Sequence, residues 1–181
     1  HAAGAPDKGI NALNAAMIGM MGVNAIRERF KESDYVRFHP ILTNAGDLVN
    51  VVPDRVTMES YVRAATVEGL EHYNADINRA LKAGADAIGA ECIVHDMPGY
   101  LPLRPDIRLR AVLEENARAF FAPEDVEAGP HNTASTDMGD VSHLIPIVHA
   151  WVGCARGKLH GADYKLVDTK VAFEKSPAVL A

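Results

Sequence analysis

Apolar residues recur at Leu13, Met17, Met20, Met21 and Ala25. That spacing draws one stripe along a helix, and the charged run Arg27 to Lys31 ends it. Gly19 and Gly22 weaken the helix intrinsically but let another element approach closely. Next the pattern alternates. Val36, Phe38 and Leu42 point one way and Arg37, His39 and Ile41 the other, as in a strand with one buried face. The turn-rich stretch Thr43 to Asp47 interrupts it. After Pro53 and Asp54 a second alternation sets Val56, Met58, Ser60 and Val62 against Thr57, Glu59, Tyr61 and Arg63. A second helix is expected from Thr66, with Val67, Leu70, Tyr73, Ile77 and Leu81 on one face and Gly84 as its stop. A third strand is expected over Ala87 to Val94. The order helix, strand, strand, helix, strand becomes the split βαβ, ferredoxin-like arrangement once a strand is placed before His1. Without that strand the sheet would present an open edge.

The pattern changes at Met97 to Pro105, where prolines and a glycine crowd together. A helix is expected from Asp106 to Phe121, with Leu109, Val112, Leu113, Ala117 and Phe120 as its buried stripe. An acidic loop, Pro123 to Pro130, follows. Beyond it come a polar motif from His131 to His143, an apolar strand from Ile145 to Val152 and a last helix near Val167 to Phe173. These elements are too few to bury a core of their own. The division expected is therefore 1–96 and 97–181, the second part being the tail of another domain.

Composition narrows the classes. Apolar residues make up 48% of the 181, but aromatic ones only 6%, so the core rests on Ala, Val, Leu, Ile and Met. The net charge of −6 and the lack of a basic stripe argue against a nucleic-acid partner. No apolar run has the length of a membrane span. Cys92 and Cys154 have neither zinc-knuckle spacing nor the density of a disulfide scaffold. They read as reduced, buried thiols of a cytoplasmic protein.

Several polar residues could carry chemistry. Asp137, Asp140, His143, His149 and His160 cluster in sequence as a possible metal set, although no HExxH occurs. The segment Ser135-Thr136-Asp137-Met138-Gly139-Asp140 is polar beside an apolar run. It suits a ligand-facing loop or, more plainly, a turn or helix cap. Asn50 opens the stretch Val51-Val52-Pro53. Arg63 could grip a carboxylate through two parallel hydrogen bonds, or form an ordinary surface ion pair.

Four segments together resemble the dinuclear-zinc metallopeptidase and amidohydrolase family of aminoacylase, carboxypeptidase G and aminobenzoyl-glutamate hydrolase. His1-Ala2-Ala3 with Pro6 and Gly9-Ile10-Asn11-Ala12-Leu13 is similar to the start of that family's lid. Asn50-Val51-Val52-Pro53-Asp54 is similar to its Asn-Val-Val/Ile-Pro motif, and Tyr61-Val62-Arg63 to the strand arginine that follows. Ser135 to His143 with Pro146 resembles the segment of the aminobenzoyl-glutamate hydrolase and dipeptidase-like branch. Leu159-His160-Gly161-Ala162-Asp163-Tyr164 is similar to the His-Ser/Thr-Pro-x-Phe/Tyr segment, departing from it at Gly161-Ala162.

The resemblance implies a ferredoxin-like lid, or dimerisation, domain lacking its first strand, followed by the C-terminal part of a zinc-peptidase-like α/β catalytic domain. It implies that His1 reaches the active site of a partner subunit and stabilises an oxyanion, which requires a donor aimed where charge develops. Asn50 and Arg63 would bind the substrate carboxylate or a nearby carbonyl. Ser135, Thr136, Asp137 and Gly139 would line the pocket, and His160 would ligate one of two divalent metal ions, zinc in the family. The intact enzyme would hydrolyse amide bonds of N-acyl amino acids, dipeptides or aminobenzoyl-glutamate-like substrates, as a homodimer joined through the lid. The family's remaining metal ligands and its general-base glutamate precede the lid and have no counterpart here. The chain is therefore expected to be a fragment, inactive alone and holding no metal tightly, because a catalytic zinc needs at least three protein ligands. The alternative is a non-catalytic dimerisation and ligand-binding module.

Overall fold

The computed structural model describes residues 1–127, 129 and 131–181. It forms two compact units, His1–Pro102 and Leu103–Ala181. The division falls within the Met97 to Pro105 stretch.

The first unit holds α1 (Ala12–Ile26), β1 (Arg37–Asn44), β2 (Thr57–Arg63) and α2 (Val67–Asp86). Asn11 starts α1 by accepting from the backbone N–H groups of Leu13 and Asn14, and Thr66 starts α2 by accepting from Gly69. Each cap satisfies donors that the first turn leaves without a helical partner. The strands pair antiparallel, with Arg37 opposite Arg63, Phe38 opposite Val62 and His39 opposite Tyr61. Phe38, Pro40, Leu42, Met58 and Val62 turn inward, whereas Arg37, His39, Ile41, Glu59 and Tyr61 are exposed. The core is Val23 of α1, Phe38 of β1 and Ile77 of α2, ringed by Ile26, Phe30, Met58, Val62, Ala80 and Leu81.

Glycine sets how closely the two helices pack. Gly84 does not stop α2, which continues to Asp86. It lies against α1 instead: a Cβ there would fall on the Gly19 backbone and 2.9 Å from the Ala15 carbonyl oxygen. The third strand expected over Ala87 to Val94 does not form. The N–H groups of Ala87 to Ala90 turn back onto carbonyls of Ala83, Ala85 and Asp86, and residues 91–100 carry no regular structure. A strand needs a ladder neighbour. No strand among the described residues pairs with this stretch.

A charged node ties the turn after α1 to α2. Asp76 is buried and accepts from Arg29 at 2.8 Å and Arg79 at 2.6 Å. The Tyr73 hydroxyl donates to Asp34 at 2.6 Å and accepts from the Lys31 N–H at 3.3 Å. The Phe30 ring stands edge-on to Tyr73 at 4.8 Å.

In the second unit α3 (Ile107–Ala117) is capped by Asp106, which accepts from Arg108 and Leu109. Its expected stripe is present but not buried: Leu113 and Ala117 are half-buried, and Leu109, Val112 and Phe120 are exposed. Then come α4 (Met138–Ser142), a short hairpin of β3 (Ala155–Arg156) and β4 (Lys165–Leu166), and a π-helical turn Val171–Lys175 that runs into α5 (Ser176–Leu180). Helical residues run from 169 to 180, so the last helix overlaps the expected Val167 to Phe173 and continues past it. The apolar run Ile145 to Val152 is not a strand. Pro146 removes a donor from it, and the Ile147 carbonyl accepts from the Asp106 N–H at 2.7 Å instead of a strand partner. The far end of the acidic loop, at 128 and 130, lies outside the described residues. No helix among the described residues is long and apolar enough to cross a membrane.

Candidate functional site

In the first unit the sequence motifs meet through backbone bonds. The Ala2 N–H donates to the Asn50 carbonyl at 2.9 Å, and the Ala12 N–H donates to the Pro53 carbonyl at 2.9 Å. The His1 segment and the Asn50 motif therefore share one end of the unit, at the start of α1. The loop holding Asn50 also borders a cleft of about 410 Å³ lined by Leu48, Val51, Val52, Pro53 and other loop residues.

His1 has a definite hydrogen-bonding role. Its Nδ1 accepts from the N–H groups of Ala3 at 3.2 Å and Gly4 at 3.1 Å. A ring nitrogen that accepts carries no proton, so in the neutral ring Nε2 is the donor. That is the atom type an oxyanion-stabilising histidine must present.

Arg63 is elsewhere. It ends β2, and its guanidinium lies 5.6 Å from the Tyr61 ring centroid. The 7 residues of β2 span roughly 20 Å, and the Asn50 loop lies beyond the strand's other end. The helix confirms the separation. At its N-terminus α1 bonds Pro53, and just past its C-terminus Arg27 donates to the Phe38 carbonyl at 3.2 Å, next to the Arg37–Arg63 pair. The structure thus joins His1 to Asn50 and separates both from Arg63.

In the second unit Asp137 caps α4. Its carboxylate accepts from the Met138 N–H and the Thr136 hydroxyl, each at 3.0 Å. Ser135 and Asp137 are exposed, Thr136 is half-buried and Gly139 is buried. The Ser142 hydroxyl donates to the Gly139 carbonyl and accepts from the Arg104 N–H at 3.0 Å. The plainer sequence reading, a helix cap, is what the segment does locally. His160 is exposed and sits at φ 65°, in the left-handed region that a side chain rarely adopts. Its loop joins β3 to β4, where the Asp163 carboxylate accepts from the Lys158 N–H at 3.3 Å.

Among the described residues no three His, Cys, Asp or Glu side chains converge on a point that could hold a metal ion. Asp137, Asp140 and His143 share α4 and its caps, but no three of Asp137, Asp140, His143, His149 and His160 form such a site among the described residues. The ligands present do not by themselves fit a dinuclear centre. Cys92 and Cys154 are free thiols, both half-buried, and burial pushes the Cys92 thiol above its ordinary range.

Two features escaped the sequence reading. Arg37 stands directly opposite Arg63, which only the strand register reveals. Asp76 is a buried charge, whose signal was a carboxylate beside Ile77 on the apolar face of a helix.

No family model matches the chain. Curated relatives do. The chain is 30% identical over 159 residues to Xaa-Arg dipeptidase of Mus musculus, and 29% identical over 158 residues to Xaa-Arg dipeptidase of Homo sapiens. Each match covers 83% of this chain and 35% of the relative, so the chain spans about a third of the length of the proteins it matches.

Proposed function

Because the chain belongs to the dinuclear-zinc metallopeptidase and amidohydrolase family, as its match to Xaa-Arg dipeptidase over most of its length shows, we propose that it is part of an enzyme that hydrolyses the amide bond of dipeptides or N-acyl amino acids. Dipeptides with a C-terminal arginine are the first class to test, since that is the residue the relatives' name specifies. The observation that carries the proposal is that match, and the order of the four motifs along the chain supports it.

In this reading His160 would contribute one ligand to a two-metal centre completed by groups outside these residues, and the metals would supply an activated water. His1 presents its Nε2–H to the developing oxyanion, where a positioned donor is worth most. Arg63 binds the substrate carboxylate. The distance between the ends of the first unit bears on the dimer: one hairpin cannot close Asn50 and Arg63 on the same small substrate. In a homodimer joined through the first unit, the His1–Asn50 end of one protomer and Arg63 of the other would serve one substrate together.

The test is hydrolysis by the gene product that carries these residues together with any that precede His1, loaded with zinc. Cleavage of Xaa-Arg dipeptides that stops on chelation and returns with zinc is expected, and the 181 residues alone are expected to be inert. A binding module without chemistry of its own would leave every dipeptide intact after verified zinc loading, and that result would overturn the proposal.

A further inference from the structure

We propose that Arg37 is a second carboxylate-binding arginine, forming with Arg63 a two-guanidinium site on the outer face of the β1–β2 hairpin. The inference rests on the reading of Arg63 given above and adds the residue opposite it.

Arg37 and Arg63 are direct cross-strand partners. Such partners project from the same face with Cβ atoms about 5 Å apart, and like charges so placed destabilise the pairing. Arg37 gains no compensation from acid, since among the described residues its guanidinium pairs with no carboxylate. The two side chains lean in opposite directions along the hairpin. Arg37 donates through Nη1 to the Val36 carbonyl at 2.9 Å, off the start of β1. Arg63 leans back over Tyr61, beside His39.

The surroundings strengthen the positive field. Arg37 shares a cleft of about 480 Å³ with Arg27, Lys31 and His39, and Glu32 is its one lining carboxylate. On the outer face the next acid is Glu59, opposite Ile41, about 13 Å along the strand from the arginine pair. A chain of net charge −6 thus gathers cations at one end of one hairpin. A carboxylate has two oxygens and about four lone-pair sites. It can accept from both guanidinium forks at once and turn their repulsion into a shared attraction. The Tyr61 ring lies against the Arg63 guanidinium, and Arg37 would exchange its bond to the Val36 carbonyl for one to the carboxylate. The ligand class is a substrate's single terminal carboxylate.

The test titrates the isotope-labelled whole chain with N-acetylarginine, its C-terminal amide and inorganic phosphate at low salt, following backbone amide shifts. N-acetylarginine should move the amides of Arg37, His39, Tyr61 and Arg63, and the C-terminal amide should not. Arg37→Met and Arg63→Met should each weaken binding about tenfold. Arg37→Lys should recover part of the loss, because it keeps the charge but not the fork. A thermal melt separates binding from folding. Arg37→Met should leave the hairpin as stable or more stable, since it relieves repulsion, while it weakens the ligand. If Arg37→Met binds like the wild type and Arg63→Met does not, the reading of Arg63 survives and this proposal falls. If neither substitution matters, or nothing binds, both fall. Phosphate binding as tightly as N-acetylarginine would also overturn the proposal, by showing a general anion patch.

Discussion

The two units solve the same problem unequally. The first places a 15-residue and a 20-residue helix against a hairpin and buries Val23 and Ile77 almost completely, at 0% and 1% exposure. The second has one helix of 11 residues with no buried side chain, strands of 2 residues, and an exposed Trp151. Among its described residues the buried apolar side chains, Ile147 and Val179, lie far apart in sequence. Helical stability comes mainly from an amphipathic face packed on something else. The first unit therefore holds its own elements in place, while the second has stripes with little to pack against.

The sharpest way to break this contrast is at Gly84. A methyl group there meets the Gly19 backbone, which cannot rotate away. Gly84→Ala should force α1 and α2 apart and cost the first unit about 3 kcal/mol or more. Trp151 is the one tryptophan and lies in the second unit, so its fluorescence follows that unit while helical circular dichroism is dominated by α1 and α2. The substitution should lower the circular dichroism midpoint and leave the fluorescence transition in place. Coincident shifts of both would show that the units unfold together.

Ile77→Ala comes next. It removes a fully buried side chain at the centre of the core, with an expected loss of about 3 kcal/mol, against about 1 kcal/mol for Val179→Ala in the second unit. Urea denaturation read with the same two probes measures both. Equal losses would mean that the second unit is held by more packing than its exposure suggests.

What could be read from the sequence follows the same division. Both helices and both strands of the first unit were legible, because their periodicity is local and their caps, Asn11 and Thr66, are the residue types expected. Gly84 was misplaced as a stop because a glycine that ends a helix and one that lets a helix approach look alike in sequence. The runs Ala87 to Val94 and Ile145 to Val152 were legible as apolar but not as unpaired, since pairing depends on a neighbour that one stretch of sequence cannot supply. The site was legible only as separate motifs. That His1 adjoins Asn50, and that Arg63 faces Arg37, depends on long-range register.

Acid should act on the first unit through Asp76 and Asp34. Burial pushes the Asp76 carboxyl up, but the hydrogen bond and charge of Arg79, with the charges of His72 and Arg29, bring it below its ordinary value of 3.8. The Tyr73 hydroxyl holds Asp34 below the same value. A carboxyl lowered by folding adds stability that is full above its unfolded pKa and is lost as pH falls through the folded one. The first unit should therefore hold its midpoint down to about pH 4 and lose it below. Asp76→Asn should flatten that acid limb and lower the neutral-pH midpoint by less than Ile77→Ala does. An unchanged acid limb would mean that the node contributes nothing through charge.

The smallest effect sets one chemistry in two contexts. Thr66 caps α2 and Asp106 caps α3, each accepting from N–H groups of the first turn. Removing a cap costs about 1 kcal/mol where the helix depends on it. Thr66→Ala should cost at most that, because Tyr73 and Ile77 still hold α2 about two and three turns further on, and amide exchange should quicken only near Val67 to Leu70. For Asp106→Ala nothing buried lies within α3 to stop the fraying. Exchange should quicken along the whole helix, through Ala117. If Asp106→Ala frays only its own first turn, the half-buried Leu113 and Ala117 suffice to anchor α3, and the contrast between the units is one of degree.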